Sequence, residues 1–363
     1  MPERLWKTRS YVPGDADGIL ALRRAVFGDL DRVRLKPEIW RWQFIDNPAG
    51  AGWVRLAERD GTIVGQYAAI PTRFRLNTGG GEDRTFAMSC DTMTHPDYQR
   101  QGMFVTLAQE LYAELAERHG VSTVWGFPNA ASHPGFVSRL GWFDIHVFPT
   151  RVKPIRTAPV FKRYLRWGVL SGTLGTIADR SYQLATPRVS RPTRCEIRPL
   201  SSFDERFDAL WTRHRGLAPV VQVRTSAHLN WRYCAAPEFG YRPFAVFVGG
   251  ALEGYVVIRS LTLFDLPFAA VVDLFPCPIV DAAVTRDVLS FAQLEAEREG
   301  AAFLTALLPP AHAPHLARFG FLKVPAFLNL RPWYLGARCQ PADEPLLRDI
   351  GHWYVTYGDA DIV

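Results

Sequence analysis

The chain lacks any apolar run near the roughly 18 residues needed to cross a bilayer, which predicts no membrane span. Its first residues, MPERLWKTRS, lack the basic-then-apolar stretch with a small-residue cleavage site that directs export. Together these absences predict a cytoplasmic protein. Cysteine is scarce. Cys90, Cys195, Cys234, Cys277 and Cys339 are odd in number and scattered, with no CxxC pair and no histidine at ligand spacing, so neither a disulfide framework nor a metal site is expected. They read as reduced and mostly buried thiols. A broad excess of basic charge is also missing. The formal charge is +6, but residues 151–194 hold ten Lys or Arg against Asp179 alone, which leaves −3 for the remainder. No recognisable nucleic-acid module accompanies that basic stretch, so nucleic acid is not an expected partner. What is present, 48% hydrophobic and 21% charged residues over 363 positions, is an ordinary globular composition long enough for two domains.

Internal similarity supports the count of two, because a repeat at fixed offset signals duplicated architecture. Trp42 to Pro48 aligns with Trp231 to Pro237 at an offset of 189, and the same offset pairs Gly61 with Gly250 and Gly65 with Gly254. Each glycine belongs to an apolar hairpin, Val54 to Tyr67 in one copy and Phe244 to Ile258 in the other. Further on, Gly120 matches Gly300 at 180, and Gly141-Trp142 matches Gly320-Phe321 at 179. The second copy is therefore shorter by about ten residues between its hairpin and its long helix. In the first copy that interval holds His95-Pro-Asp-Tyr-Gln-Arg-Gln-Gly-Met-Phe104; the second offers only Pro276 to Asp281.

Each copy reads as helix, antiparallel strands, then strand, loop, helix, strand, and a short helix before a Gly-aromatic pair. Leu107, Leu111 and Leu115 recur at helical spacing between Val105 and His119, with Gly120 as the stop. Phe86 to Thr94 and Val121 to Phe127 read as the flanking strands. A turn entering a helix offers converging main-chain N–H groups and a favourable dipole, the requirements for gripping a diphosphate without a metal. Gln99 to Phe104 lies in that context; Gly102 lets a ligand come close, and Arg100 adds charge.

At these residues the sequence resembles the GCN5-related N-acetyltransferase (GNAT) family, whose cofactor loop follows Gln/Arg-x-x-Gly-x-Gly/Ala. Gln99 and Gly102 fit the pattern, and Phe104 departs from it. The resemblance runs from about Val12 to Phe148 and continues through Gly126-Phe-Pro-Asn129 and Phe136 to Trp142. It implies an α+β fold of two tandem GNAT-like domains, each a mixed, mostly antiparallel sheet flanked by helices. The expected partition is a GNAT domain at 1–150, a basic linker at 151–195, and a degenerate GNAT-like domain with a C-terminal tail at 196–363. It also implies acetyl-CoA as co-substrate, with Thr92, Met93 and Thr94 along the pantetheine arm. Gln99, Arg100, Gln101, Gly102, Met103 and Phe104 would meet the diphosphate, and Asn129 lies beyond the second strand.

Many members of the family reprotonate the departing thiolate with a tyrosine, but the corresponding position here is Val137. Asp91, Ser132 and His133 are the candidate catalytic groups, with His95 as a further one. Asp91 reads equally as a strand-end carboxylate bonded to backbone or arginine, His95 as a turn residue, and His133 as a helix-start residue. Cys90 has apolar neighbours and reads as core. Asp359 and Asp361 lie in an unusually aromatic ending; the resemblance to two-domain relatives whose C-terminus lies near the catalytic cleft implies that they bind a cationic acceptor or take its proton, and they read equally as a solvated tail.

The expected activity is transfer of an acetyl group from acetyl-CoA to a small-molecule amine by direct attack on the thioester. The combination Asp-Thr-Met-Thr-His-Pro, Gln-Gly-Met-Phe and Gly-Phe-Pro-Asn is similar to GNAT proteins of surface-polysaccharide gene clusters, which points to an amino sugar. Two other readings stand beside it. One is a Fem-type aminoacyl or peptidyl transferase for cell-wall precursors; the other is a non-catalytic CoA-binding protein. Lys162, Arg163 and Arg166 beside Trp167 read as a solvated connector or as a weak contact with an anionic membrane surface.

Overall fold

The protein is described by a computed structural model covering residues 5–28, 32–156, 180, 189–263, 265–325 and 332–361. The basic and aromatic stretch at 162–167 lies outside these residues. Among the described residues no helix is long and apolar enough to cross a membrane.

Among the described residues, two mixed, mostly antiparallel sheets form, of nine and seven strands. The first follows the order β1 (Lys7–Ser10), β2 (Trp53–Arg59), β3 (Thr62–Leu76), β4 (Glu82–Thr94), β5 (Val124–Gly126), β15 (Trp333–Arg338), β6 (Phe143–Phe148). A side branch, β9 (Val220–Gln222), pairs with β3 and with β16 (Trp353–Tyr354). The second sheet runs β14 (Leu322–Lys323), β7 (Arg151–Pro154), β13 (Phe303–Ala306), β12 (Leu266–Phe275), β11 (Ala251–Leu263), β10 (Arg242–Val248), β8 (Glu196–Pro199). The helices of the first repeat are α1 (Ala16–Phe27), α2 (Pro37–Phe44), α3 (Met103–His119) and α4 (His133–Leu140). Those of the second are α5 (Glu205–His214), α6 (Ser226–Leu229), α7 (Ala282–Arg298) and α8 (Ala313–Arg318), followed by α9 (Glu344–Arg348).

The sheets do not respect a partition at 150 and 195. β7, placed by sequence in the linker, inserts between β13 and β14 of the second sheet, while β15 inserts between β5 and β6 of the first. Each repeat thus donates a strand to the other. Exchange satisfies both strands' main-chain groups within a sheet, a demand that composition does not reveal.

The repeat anchors explain themselves in three dimensions. Trp42 and Trp231 stack on each other at 5.1 Å, and each indole N–H donates to the other's main-chain oxygen, at 2.7 and 2.8 Å. Equivalent residues meeting reciprocally define a local two-fold relation between the repeats. A Cβ on Gly65 would meet Met103 Sδ at 2.1 Å, and one on Gly254 would meet Ile279 Cδ1 at 2.8 Å. In both copies the hairpin strand lies directly under the junction that leads to the long helix. One apolar core runs through both sheets from Ile19 to Ala360, and a second fills the space between the first sheet and α3 and α4. Leu107, Leu111 and Leu115 are buried in that second core, each contributing roughly 1.5–3 kcal/mol. The five thiols are free, but only Cys90 and Cys277 are buried; Cys195 and Cys339 are half-buried and Cys234 is exposed.

Candidate active site

β4 and β5 pair in parallel only at Ala87 with Val124 and Met88 with Trp125. β5 then ends at Gly126, whereas β4 continues to Thr94. The strands fork at Ser89 and Gly126, where a Cβ on Gly126 would meet the Ser89 carbonyl oxygen at 3.0 Å. Beyond the fork lie Thr92 and Thr94, half-buried, and Met93, buried.

The chain leaves β4 through His95 and a 3-10 turn at Pro96–Tyr98. His95 Nδ1 accepts the Asp97 N–H at 3.3 Å and closes that turn. Gln99, Arg100, Gln101 and Gly102 follow, all exposed. Arg100 and Gly102 take left-handed conformations with φ of 62° and 78°. A non-glycine residue holds that conformation at a cost of roughly 1–2 kcal/mol. Left-handed residues in a short turn help form the concavities in which successive N–H groups bind an anion. Gly102 is the helix N-cap, and no side chain caps α3. Among the described residues, none of the main-chain N–H groups from Arg100 to Val105 donates to a protein acceptor; the first to do so is Thr106, to the Gly102 oxygen at 3.1 Å. Met103 is buried under β3 and Phe104 is half-buried. The Phe104 ring sits 5.1 Å from Phe136 and also packs against Gly135, filling the gap between α3 and α4.

The catalytic candidates are not brought together. Asp91 sits at a β-bulge with φ of 49°, its carboxylate 3.0 Å from both Arg23 and Arg34 and its main-chain oxygen accepting from Gln66 Nε2 at 2.8 Å. Burial opposes its charge, but the two arginines prevail and hold the carboxyl below its ordinary value. Ser132 and His133 begin α4 on the other side of the sheet. Asn129 Oδ1 accepts from the N–H groups of Ala131 and Ser132, at 3.0 and 2.9 Å, and shapes that turn. His133 Nε2 lies 2.6 Å from Asp144 Oδ1, and its ring stacks on Tyr334 at 4.1 Å.

The fork holds a group that sequence reasoning missed. Ser89 Oγ donates to the Tyr67 hydroxyl at 2.8 Å, which lies 2.6 Å from the Tyr112 hydroxyl, and Trp142 Nε1 donates to Tyr112 at 3.0 Å. Burial pushes Tyr112 up to about 12 and raises Tyr67 well above its ordinary value, so both remain protonated.

The C-terminal segment reaches the α1–α2 side of the same region. Asp359 is buried against Arg224 Nη2 at 2.9 Å, Arg232 donates to the main-chain oxygens of Gly358 and Ala360, and Arg34 donates to that of Asp361. The Asp361 carboxylate lies 3.9 Å from Arg34. Burial raises Asp361, Arg34 opposes this, and Asp91 adds to it; the net direction is upward. A crevice there is lined by Trp42, Gln43, Met88, His228 and Asp361.

Residues 7–143 match the family model described as an acetyltransferase (GNAT) domain. No curated protein matches the sequence. Among solved structures, a conserved protein of unknown function from Enterococcus faecalis V583 is similar over 94% of this chain and 75% of its own, with a TM-score of 0.63 and 14% identity. A GCN5-related N-acetyltransferase from Anabaena variabilis covers 94% and 74%, with a TM-score of 0.58 and 12% identity. The N-myristoyltransferase of Saccharomyces cerevisiae with bound myristoyl-CoA covers 93% and 84%, with a TM-score of 0.62 and 9% identity. At such identities the likeness is one of fold. The forked strands and open helix entry, in a segment that the family model matches, identify residues 7–143 as a GNAT acetyltransferase domain and the protein that carries them as an acyltransferase.

Proposed function

We propose that the chain transfers an acetyl group from acetyl-CoA to the amine of a small molecule, an amino sugar being the favoured class, by direct attack on the thioester. The observation that carries this reading is the run of N–H groups from Arg100 to Val105, at an exposed turn heading α3, that find no acceptor among the described residues. Six donors at the positive end of a helix dipole suit a diphosphate. The pantetheine arm then follows Thr92 to Thr94 and brings the thioester to the fork at Ser89. Phe104, Phe136 and Tyr67 occupy the neighbouring interior, which favours a two-carbon acyl group over a long chain.

Asp91, paired with two arginines, serves as a fixed carboxylate that shapes the bulge. Ser89 is a better candidate for orienting the acceptor at the fork, because its hydroxyl donates to Tyr67 and leaves its oxygen free to accept an N–H of the attacking amine. The high values of Tyr67 and Tyr112 make them hydrogen-bond donors and poor proton sources, so water reprotonates the thiolate. Asp361, raised by burial, is the group suited to take the amine's proton.

Calorimetric titration with acetyl-CoA tests the cofactor site. Gly102 and Gly120 share a left-handed conformation with no atom within 4 Å of an added Cβ, at opposite ends of α3. Gly102→Glu is expected to abolish binding and Gly120→Glu to spare it; equal affinity in both variants would defeat the assignment. Binding without thioester consumption across an amine panel that includes amino sugars would favour the non-catalytic reading. Binding of charged tRNA in place of CoA would favour aminoacyl transfer.

A further inference from the structure

The second repeat replaces the cofactor loop with the short segment from Phe275 to Asp281, and this segment carries Cys277, which is fully buried. His312 is the N-cap of α8 and His315 lies in its first turns. Residues three apart share a helix face, and the fold brings that face to the loop. Donor atoms of Cys277, His312 and His315 all lie within 4.8 Å of one another. Among the described residues the thiol and both imidazoles make no hydrogen bond through their side chains; the contacts of His312 are ring contacts with His315 and Tyr354.

Three convergent donors without protein partners are a ligand set. Donors bound to one tetrahedral zinc lie roughly 3.3–3.6 Å apart, given metal bonds of about 2.3 Å to sulfur and 2.0–2.1 Å to nitrogen. Small side-chain rotations would close the observed triangle to that size. One thiolate and two imidazoles with no carboxylate suit zinc and disfavour magnesium or calcium. His315 also lines a cavity of about 270 Å³ with Arg286, Thr285 and Arg318, which leaves room for solvent as a fourth ligand. A nucleophilic role fits less well, since the thiol is buried and, among the described residues, no carboxylate orients either histidine.

We propose that Cys277, His312 and His315 bind one zinc ion, with solvent completing the tetrahedron. The place is the second repeat's counterpart of the candidate active site: His312 corresponds to His133 at the offset of 179 that pairs Gly320 with Gly141. There the metal clips the shortened loop to α8, beside Tyr354 of the C-terminal segment, and the thiol proton leaves to solvent. This proposal is independent of the acetyl-CoA reading.

The full-length chain, stripped with a chelator, is titrated with Co²⁺ and then with Zn²⁺. The expected result is one equivalent of cobalt with a thiolate charge-transfer band, its displacement by zinc, and a zinc-dependent rise in the thermal midpoint. Cys277→Ser should lose the band and Cys195→Ser should keep it. His315→Ala, at a half-buried position, should lose zinc while keeping its circular dichroism. A cobalt spectrum without a thiolate band, or one that persists in Cys277→Ser, overturns the proposal. Should Cys277→Ser not fold, unaltered zinc affinity in His315→Ala overturns it equally.

Discussion

The two repeats carry the same junction of strand, loop and long helix, and they differ in what satisfies the helix entry. α3 begins at Gly102 with no side-chain cap and, among the described residues, no acceptor for its first N–H groups. α7 begins at Asp281, whose carboxylate accepts from Ala283 and Val284 at 2.7 and 2.8 Å. A helix N-terminus attracts an anion in either case. The second repeat supplies one from its own sequence, whereas the first leaves the place open. A site can therefore be lost by filling it as well as by deleting its loop.

The largest effect that would sharpen this comparison lies at the open junction, where Gly102→Glu should remove acetyl-CoA binding altogether. Next comes the pair of buried carboxylates that the repeats place on equivalent strands. Asp91 is held by Arg23 and Arg34, and Asp273 by Arg224, Tyr233, Tyr255 and Thr356. Arg224 also binds Asp359, so Arg224→Met would strand two buried carboxylates. A loss of about 3–5 kcal/mol is expected, read as a lowered urea midpoint. A loss below 1 kcal/mol would mean that the network is not the joint between the second repeat and the C-terminal segment.

The reciprocal tryptophans permit a symmetric test. Trp42→Ala and Trp231→Ala each empty one side of a shared stack and break one of two equivalent hydrogen bonds. Each should cost about 3–5 kcal/mol, and the double variant should cost less than the sum because the residues touch. Unequal single costs would show that one repeat relaxes around the gap and the other does not. A smaller effect is expected at the fork, where Ser89→Ala should lower kcat about tenfold, the value of one hydrogen bond of roughly 1.4 kcal/mol. KM for acetyl-CoA should stay unchanged, since in this reading Ser89 acts on the attacking amine and not on the diphosphate. A rise in KM with kcat preserved would place Ser89 in binding instead.

Much of the fold was legible because its constraints are local or repeated. Gly120 stops α3 through a left-handed residue, Gly65 and Gly254 recur because a strand passes under each junction, and the turn that heads α3 declares itself in six consecutive residues. The exchanged strands were not legible. β7 sits among prolines and basic residues, and its partners lie about 150 residues away. The candidate site divides in the same way. The Ser89, Tyr67 and Tyr112 chain and the Asp91 clamp join residues separated by 22 to 68 positions, at no spacing that marks them. Sequence suggested Asp91, Ser132 and His133 as acids or bases because each lies near the fork in the chain; the faces of the sheet to which they belong appear only with the fold.

The smallest expected effect returns to the closed junction. Asp281→Ala removes a cap that satisfies two N–H groups at the start of α7, and such a loss costs about 1 kcal/mol. It should not confer acetyl-CoA binding. The loop before α7 is about ten residues shorter than its counterpart, and Ile279 occupies the approach against Gly254, so freed donors would face no bed for a diphosphate. Inorganic pyrophosphate, which needs only the donors, separates the two requirements: weak pyrophosphate binding by Asp281→Ala without CoA binding would show that the carboxylate fills an anion site while loop length decides cofactor use. Full CoA binding by that variant would reverse the argument and make the single carboxylate the reason the second repeat is silent.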